Sequence, residues 1–528
     1  MHWADKLAER VIADAPDKDE YVCAAGISPS GSVHIGNFRD IVTSYFVCRA
    51  LIRRGKKARL LFSWDEFDRM RKVPSNVSTE GFYKNIGKPY SDIPDPFACH
   101  GSYAEHFERE FEHALKVFNI DVAFRYQASE YRSGRYAAEI VKAMEKRKEI
   151  FDILESFRTQ DSAAEDRENY YPVSIYCPAC GKDETAISSY DEGSHTAGYS
   201  CKCGHAGSFC FDTDFNCKLY WKTDWPMRWM AEGVDFEPGG KDHASPAGSF
   251  QTSRVISEKV FGYKAPLFQG YEFIGIKGST GKMSGSTGLN LTPEALFRVY
   301  QPEVILWLYS KTDPMKAFNF CFDEEILRQY FEFDKMYADA AAGAAAGAAG
   351  EINAEIMQYC MIPGREIKTV PMQQLVSLGS IVDFSPDLLE TLFARIGTPY
   401  TREDFDERVR LAEYWLENCS PESVNRLLDG FDAGYYASLS APEQKELAVL
   451  GEYLGQNEYD MDSLQSFLYS VPALARGGTV DAASLKQLQA AFFKNVYRML
   501  IGKDKGPRLY LFLFALEKER FLPLLPNG

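Results

Sequence analysis

The stretch Tyr21-Val22-Cys23-Ala24-Ala25-Gly26-Ile27-Ser28-Pro29-Ser30-Gly31-Ser32-Val33-His34-Ile35-Gly36-Asn37 decides how this chain is read. Its first six residues form an apolar run of the length of a buried parallel strand. Ile27 to Ser32, rich in Pro, Gly and Ser, ends that strand. From Val33 onward Ile41, Val42, Tyr45, Phe46, Cys48 and Leu51 read as a helix, and Gly55 stands just past its end. A strand, a glycine turn and a helix start make an anion site, because unpaired backbone N–H groups and the helix dipole face one point. His34 and Asn37, three apart on the first turn, can both face bound phosphates, and Gly36 leaves room for a nucleotide against the helix. An ordinary strand–helix turn would look the same, so a second signal is needed.

That signal lies far downstream, in Gly278-Ser279-Thr280-Gly281-Lys282-Met283-Ser284-Gly285-Ser286-Thr287-Gly288. Four glycines make it a loop able to close over a triphosphate, with the Lys282 cation against developing negative charge. A surface loop is the bland alternative for this segment alone. Together, in this order, the two segments describe both ends of an ATP site that activates a carboxylate by adenylation.

Two clusters have metal-ligand spacing. Cys177-Pro178-Ala179-Cys180-Gly181 and Cys201-Lys202-Cys203-Gly204 supply four thiols, the first pair in C-x-x-C spacing, and the glycines let the backbone turn around an ion. His205 or Cys210 could replace one member of the tighter second pair. Asp95, Cys99, His100 and His106 offer one carboxylate, one thiol and two imidazoles, a set that also suits zinc. Free cysteines and loop-capping histidines are the structural alternatives.

At 528 residues the chain exceeds what a single core supports. An apolar share of 45% with 14% aromatics suits globular folding. No run approaches the roughly 18 apolar residues of a membrane span, and Leu509–Leu516 reads as a buried helix. Without a signal or transit pattern at the N-terminus, a cytoplasmic location is expected. The net charge of −16 does not suggest a nucleic-acid binder, but phosphate contacts require only local basic surface. Arg49, Arg53, Arg54, Lys56, Lys57 and Arg59 form one basic run; Lys494, Arg498, Lys503, Lys505, Arg508, Lys518 and Arg520 form another. Either could equally be a solvated face.

The expected fold class is α/β: a Rossmann-like parallel-sheet catalytic domain with a zinc-bearing insertion, then an all-helical C-terminal domain. Residues 1–75 hold an N-terminal helix and the first half of the catalytic domain, with a second strand at Ala58–Trp64 followed by Asp65, Glu66 and Asp68. Residues 76–216 form the insertion and 217–290 the second half, with a late strand at Glu272–Ile276. A helical junction at 291–350 ends in an Ala/Gly tract, 340–350, that reads as a linker. The domain over 351–528 is expected to have helices near 385–396, 402–416, 421–428, 441–455 and 484–501.

His34-Ile35-Gly36-Asn37 and Lys282-Met283-Ser284-Gly285-Ser286 resemble the H-I-G-H and K-M-S-K-S signatures of class I aminoacyl-tRNA synthetases. More narrowly, the chain is similar to the class I lysyl-tRNA synthetases. Asp68-Arg69-Met70-Arg71-Lys72-Val73-Pro74, Asp224-Trp225-Pro226-Met227-Arg228-Trp229, Gly239-Gly240-Lys241-Asp242-His243 and Gln269-Gly270-Tyr271-Glu272-Phe273 support this. The resemblance covers about residues 20–320, and the rest by architecture. Asn37 stands in place of the last histidine of the general motif, as is usual in the subgroup. Gly285 replaces the second lysine, so one phosphate contact of the wider class is missing.

The resemblance implies activation of L-lysine with ATP and Mg2+, and transfer of the lysyl group to tRNA-Lys. His34 and Asn37 would hold phosphates, Lys282 would neutralise the departing pyrophosphate, and Ser284 and Ser286 would bond its oxygens. Gly36, Lys282 and Asp242 would bind ATP; Gly26, Ser28, Asp65, Trp225, His243 and Tyr271 would line the substrate pocket, with Asp65 or Glu272 supplying charge. It also implies zinc at Asp95, Cys99, His100 and His106, and anticodon binding by the helical domain. The rivals are a class I synthetase for another amino acid such as glutamate, a smaller-substrate nucleotidyltransferase, and a non-catalytic RNA-binding relative.

Overall fold

The computed structural model describes residues 1–74, 77, 81–158, 164–246, 248–277, 291–343, 347–398, 400–477 and 481–526. They form two compact units, Met1–Phe320 with Met336–Arg365, and Cys321–Lys335 with Glu366–Gly528. None of the described helices is long and apolar enough to cross a membrane.

The first unit opens with α1 (Trp3–Asp14), β1 (Tyr21–Ile27), α2 (Ile35–Arg53) and β2 (Ala58–Trp64). It continues through α3 (Tyr103–Val117), β3 (Ala123–Tyr126), α4 (Trp221–Glu232), β4 (Phe236–Gly240) and β5 (Leu267–Tyr271). These five strands make one parallel sheet in the order β5-β4-β1-β2-β3. Strand order reverses at β1, and ligands bind beyond the carboxyl ends of such sheets at that reversal. Tyr21, Val22, Cys23, Ala24 and Ala25 are all buried, as a strand covered on both faces requires.

Three features depart from the sequence expectation. The edge strand β3 comes from within the stretch assigned to the insertion, and pairs Leu61–Trp64 with Ala123–Tyr126. Four residues are too few to show a period. Strand β4 contains Pro238-Gly239-Gly240, a turn-like sequence. A Cβ on Gly239 would lie 2.8 Å from the Phe268 ring, so glycine here permits close packing against β5 rather than a turn. The late strand is shorter than expected: Ile274–Ile276 pairs with Phe318–Phe320 in a separate two-stranded ribbon, a strand inside the supposedly helical junction.

Between β3 and α4 lies a lobe with an antiparallel three-stranded sheet, Thr185–Asp191, Thr196–Cys201 and Ala206–Cys210. Its neck is the antiparallel pair Val173–Ile175 and Cys217–Leu219. The Ala/Gly tract is helical on both flanks, with helices Glu325–Ala342 and Gly347–Cys360, since alanine is the strongest helix former; residues 344–346 lie outside the described set.

The second unit is helical. Pro386–Arg395, Arg402–Cys419, Ala441–Gln456 and Ala482–Ile501 fall close to the expected segments. Thr401 with Asp404 and Ser440 with Glu443 close capping boxes at two of them. The expected helix at 421–428 is replaced by a single 3-10 turn, Pro421–Ser423. Lys503 Nζ donates to the carbonyls of Glu422 and Val424, each at 2.5 Å, drawing them out of any helical ladder.

Candidate functional site

His34 is the N-cap of α2: its imidazole Nδ1 accepts the Asn37 N–H at 3.2 Å. This satisfies a first-turn donor that has no partner within the helix. With Nδ1 accepting, the neutral ring carries its proton on Nε2 and presents a donor there. A Cβ on Gly36 would stand 3.0 Å from the His34 ring. The room over Gly36 therefore belongs to His34, not to a stacked nucleotide as expected. Farther along α2, buried Arg39 donates to the carbonyls of Glu272 (2.8 Å), Asp313 (3.0 Å) and Lys316 (2.9 Å), tying the segment after β5 to this helix.

Beyond the carboxyl ends of β1 and β2 is an enclosed cavity of about 30 Å3, lined in part by Gly26, Ser63, Asp65, Trp225, Trp229 and Glu237. Trp221, Trp225 and Trp229 recur every four residues along α4, so their indoles share one face, with centroids 4.9 and 4.8 Å apart. His243 reaches the same wall, 5.8 Å from the Trp225 ring. Gly26 is fixed by its neighbour strand, since a Cβ would lie 2.9 Å from the Ser63 carbonyl oxygen.

Beneath the cavity is a charge network. Arg228 donates to Asp65 at 2.6 Å and lies 3.2 Å from Asp224. Lys218 pairs with Asp68, which also accepts the Ser28 hydroxyl at 2.6 Å. Burial raises the Asp65 carboxyl, against the pull of Arg228 and Lys218. Of the acidic residues expected at this strand end, Asp65 and Asp68 are thus ion-paired. Glu66 accepts the N–H groups of Gln127 and Ala128, and burial pushes it up to about 8. Glu272 holds Lys241 at 2.5 Å. The Tyr271 hydroxyl and the Gly26 backbone favour the charged form of Asp40, against burial and Glu237, which hold its carboxyl well above the usual range. Exposed Asp242 opens a short helix, Lys241–Ala244. Lys218, Arg228 and Glu237 were not singled out from sequence, because their partners are not near neighbours along the chain.

Both metal-ligand clusters assemble. In the lobe, Cys177 and Cys203 sulfurs are 3.7 Å apart, as are those of Cys180 and Cys201, and all four lie within 4.8 Å of one another. Four sulfurs at about 2.3 Å from a tetrahedral centre would be about 3.75 Å apart, so the set fits zinc. His205 and Cys210 stand outside it. In the second cluster Cys99 Sγ is 3.3 Å from Asp95, 3.1 Å from His100 Nδ1 and 3.2 Å from His106 Nδ1. Burial alone would raise the Asp95 carboxyl, but the N–H groups of Phe97, Cys99 and His100 hold it down to about 2. Its mixed O, S and N donors fit the same ion.

The basic runs are largely neutralised. Arg54 pairs with Asp5 and Glu9, Arg59 with Glu20 and Glu232, and Lys57 with Glu20. Arg49 donates to the carbonyls of Gln358 and Tyr359. In the second run Lys494 and Arg498 share Asp504, and Lys518 pairs with Glu458. Lys282, Ser284 and Ser286 lie outside the described residues.

A family model described as tRNA synthetases class I (K) matches residues 1–362. The lysine–tRNA ligase of Thermococcus kodakarensis is 37% identical over 98% of this chain and 98% of its own. That of Treponema pallidum is 36% identical over 99% and 98%, and that of Streptomyces coelicolor 34% over 99% and 98%.

Proposed function

The chain belongs to the class I (K) tRNA synthetases, and on that footing we propose that it is a lysine–tRNA ligase. It activates L-lysine with ATP, releasing pyrophosphate, and passes the lysyl group to tRNA-Lys, releasing AMP. The observation that carries lysine over glutamate is the charge of the cavity. Arg228, the one cation among its lining residues, is already engaged by Asp65 and Asp224. A pocket of indoles and carboxylates suits an ammonium and rejects a second carboxylate.

The lysine carboxylate attacks the α-phosphorus of ATP, and pyrophosphate leaves. A terminal ribose hydroxyl of the tRNA, by class membership the 2′-OH, then takes the acyl group. These steps require positioning and charge stabilisation rather than a side-chain nucleophile. The N-terminus of α2, with the His34 Nε2 donor and Asn37, holds phosphate oxygens. Lys282, Ser284 and Ser286 act on the departing pyrophosphate. A divalent ion, magnesium in this reading, neutralises the phosphates when bound. Gly26, Ser28, Trp225, His243 and Tyr271 shape the amino-acid site, and Asp242 lies toward ATP. The helical residues from about 351 onward bind the anticodon, and the tRNA substrate puts the protein in the cytoplasm.

An ATP–pyrophosphate exchange panel across the amino acids tests the reading. Exchange driven by lysine supports it; exchange driven by glutamate and not lysine overturns it. For the anticodon assignment, single-base anticodon changes should weaken charging and leave lysine-dependent exchange without tRNA unaffected.

His34→Asn retains an oxygen to cap the Asn37 N–H but loses the Nε2 donor. Stability should stay within about 0.5 kcal/mol of the parent, whereas His34→Ala should lose about 1 kcal/mol. Both should slow adenylation by about 10²-fold or more. If His34→Asn keeps full activity, the cap is the whole role of the residue.

Cys177, Cys180, Cys201 and Cys203 would hold one structural zinc, and Asp95, Cys99, His100 and His106 a second. Cys177→Ser with Cys180→Ser should remove one equivalent of zinc and lower the melting temperature, because bound structural metal contributes folding free energy. Full zinc content in that double variant, measured by atomic emission, would dispose of the tetrathiolate site.

A further inference from the structure

Three carboxylates line the cavity between the sheet and α4: Asp65, Glu232 and Glu237. Two are matched by cations. Asp65 binds Arg228 at 2.6 Å. Glu232 binds Arg125 at 2.9 Å and Arg135 at 2.8 Å. Glu237, on β4, has no ion-pair partner among the described residues; its one short contact is the Trp229 indole N–H at 2.6 Å.

We propose that Glu237 is the group that receives the side-chain ammonium of lysine and sets the enzyme's amino-acid specificity. The assignment rests on the lysine–tRNA ligase reading and adds the residue that distinguishes lysine from its uncharged analogues. Four observations converge on it. The cavity volume of about 30 Å3 accommodates a group the size of one or two waters, which matches an ammonium head and its methylene rather than a planar guanidinium. Small residues, Ala24, Ala25 and Gly26, form the β1 side of the cavity, leaving a path from the strand end inward. Trp225 and Trp229 stand on the α4 side, and indole faces attract a cation. Lastly, Glu237 and Asp40 oppose each other's charge, so the site carries unmatched negative potential.

Burial pushes the Glu237 carboxyl up to about 7, and the indoles of Trp225 and Trp229 and the Arg228 charge only partly offset it. A bound ammonium supplies the missing cation and favours the ionised carboxylate. Asp65 and Glu272, the acidic residues that sequence put forward for this role, are engaged by Arg228 and Lys241.

The test compares L-lysine with 6-hydroxy-L-norleucine, its uncharged isostere, in ATP–pyrophosphate exchange by the full-length protein. Glu237→Gln should raise the KM for lysine by about 10²-fold or more. It should change kcat at saturating lysine far less, and leave the KM for the hydroxy analogue nearly unchanged. The preference for lysine then collapses. Glu237→Asp, which keeps the charge, should retain most of that preference. If Glu237→Gln discriminates as the parent does, the assignment is overturned. Should Glu237→Gln fail to fold, Glu237→Asp decides: retained discrimination supports the assignment, and complete loss marks a packing role and overturns it. A parent protein that does not use lysine at all would defeat the ligase reading itself, a result separate from either outcome.

Discussion

Lysine-dependent exchange of pyrophosphate into ATP is expected to fall by about 10²-fold or more in Lys282→Ala, with the KM for lysine nearly unchanged. Lys282 is the one cation in Gly278–Gly288, and Gly281 and Gly285 on either side allow its approach to the phosphates. A cation that meets charge only as it develops on the leaving pyrophosphate lowers the barrier without tightening ground-state binding, so kcat takes the loss. With Gly285 at the place of the motif's second lysine, no neighbouring ammonium can compensate. Lys282→Arg should recover part of the rate, since charge is kept but its reach differs. Equal losses of lysine affinity with kcat intact, measured over a full concentration series, would remove Lys282 from the chemical step.

The second large effect is on stability. Arg228→Met should destabilise the first unit by about 3–5 kcal/mol at neutral pH, because it leaves Asp65 and Asp224 in the interior without their shared cation. Urea denaturation followed by tryptophan fluorescence reads this directly, since Trp221, Trp225 and Trp229 occupy the same helix as residue 228. The pH dependence has a defined sign. Burial already holds the Asp65 carboxyl above its ordinary value, and removing the guanidinium raises it further. A carboxyl whose folded pKa exceeds its unfolded value destabilises above the unfolded value, and the penalty shrinks as pH falls toward the unfolded pKa. The gap between variant and parent should therefore narrow on acidification from neutral pH. A gap of under 1 kcal/mol at neutral pH would mean that the two carboxylates are not held by Arg228.

The parts of the molecule legible in its sequence are those in which cause and effect are close along the chain. β1, the glycine turn and α2 follow from one run of residues, and the paired cysteines announce their cluster by spacing alone. β3 was hidden because four residues carry no period, and β4 because Pro238-Gly239-Gly240 has turn chemistry overridden by packing against Phe268. The site floor was harder still. Asp65 finds Arg228 and Asp68 finds Lys218 only after the lobe has intervened, and no local pattern encodes such a match. The helical unit was read well where caps and apolar spacing agreed. It was misread at 421–428, where Lys503, distant in sequence, takes the carbonyls a helix would have used.

Lys218 belongs to two structures at once. It is the middle residue of the neck strand Cys217–Leu219, opposite Ser174, and it is the buried cation of Asp68, which in turn holds Ser28. A slip of one residue in the neck would turn Lys218 to the other face of the strand, and Asp68 would be left buried without it. Folding of the cysteine lobe and charge balance at the amino-acid site are thus linked events. Linkage is reciprocal: whatever steadies one end steadies the other. Lysine and adenylate should slow the escape of metal from a lobe they never touch, and a chelator that empties the lobe should weaken lysine binding before the sheet unfolds.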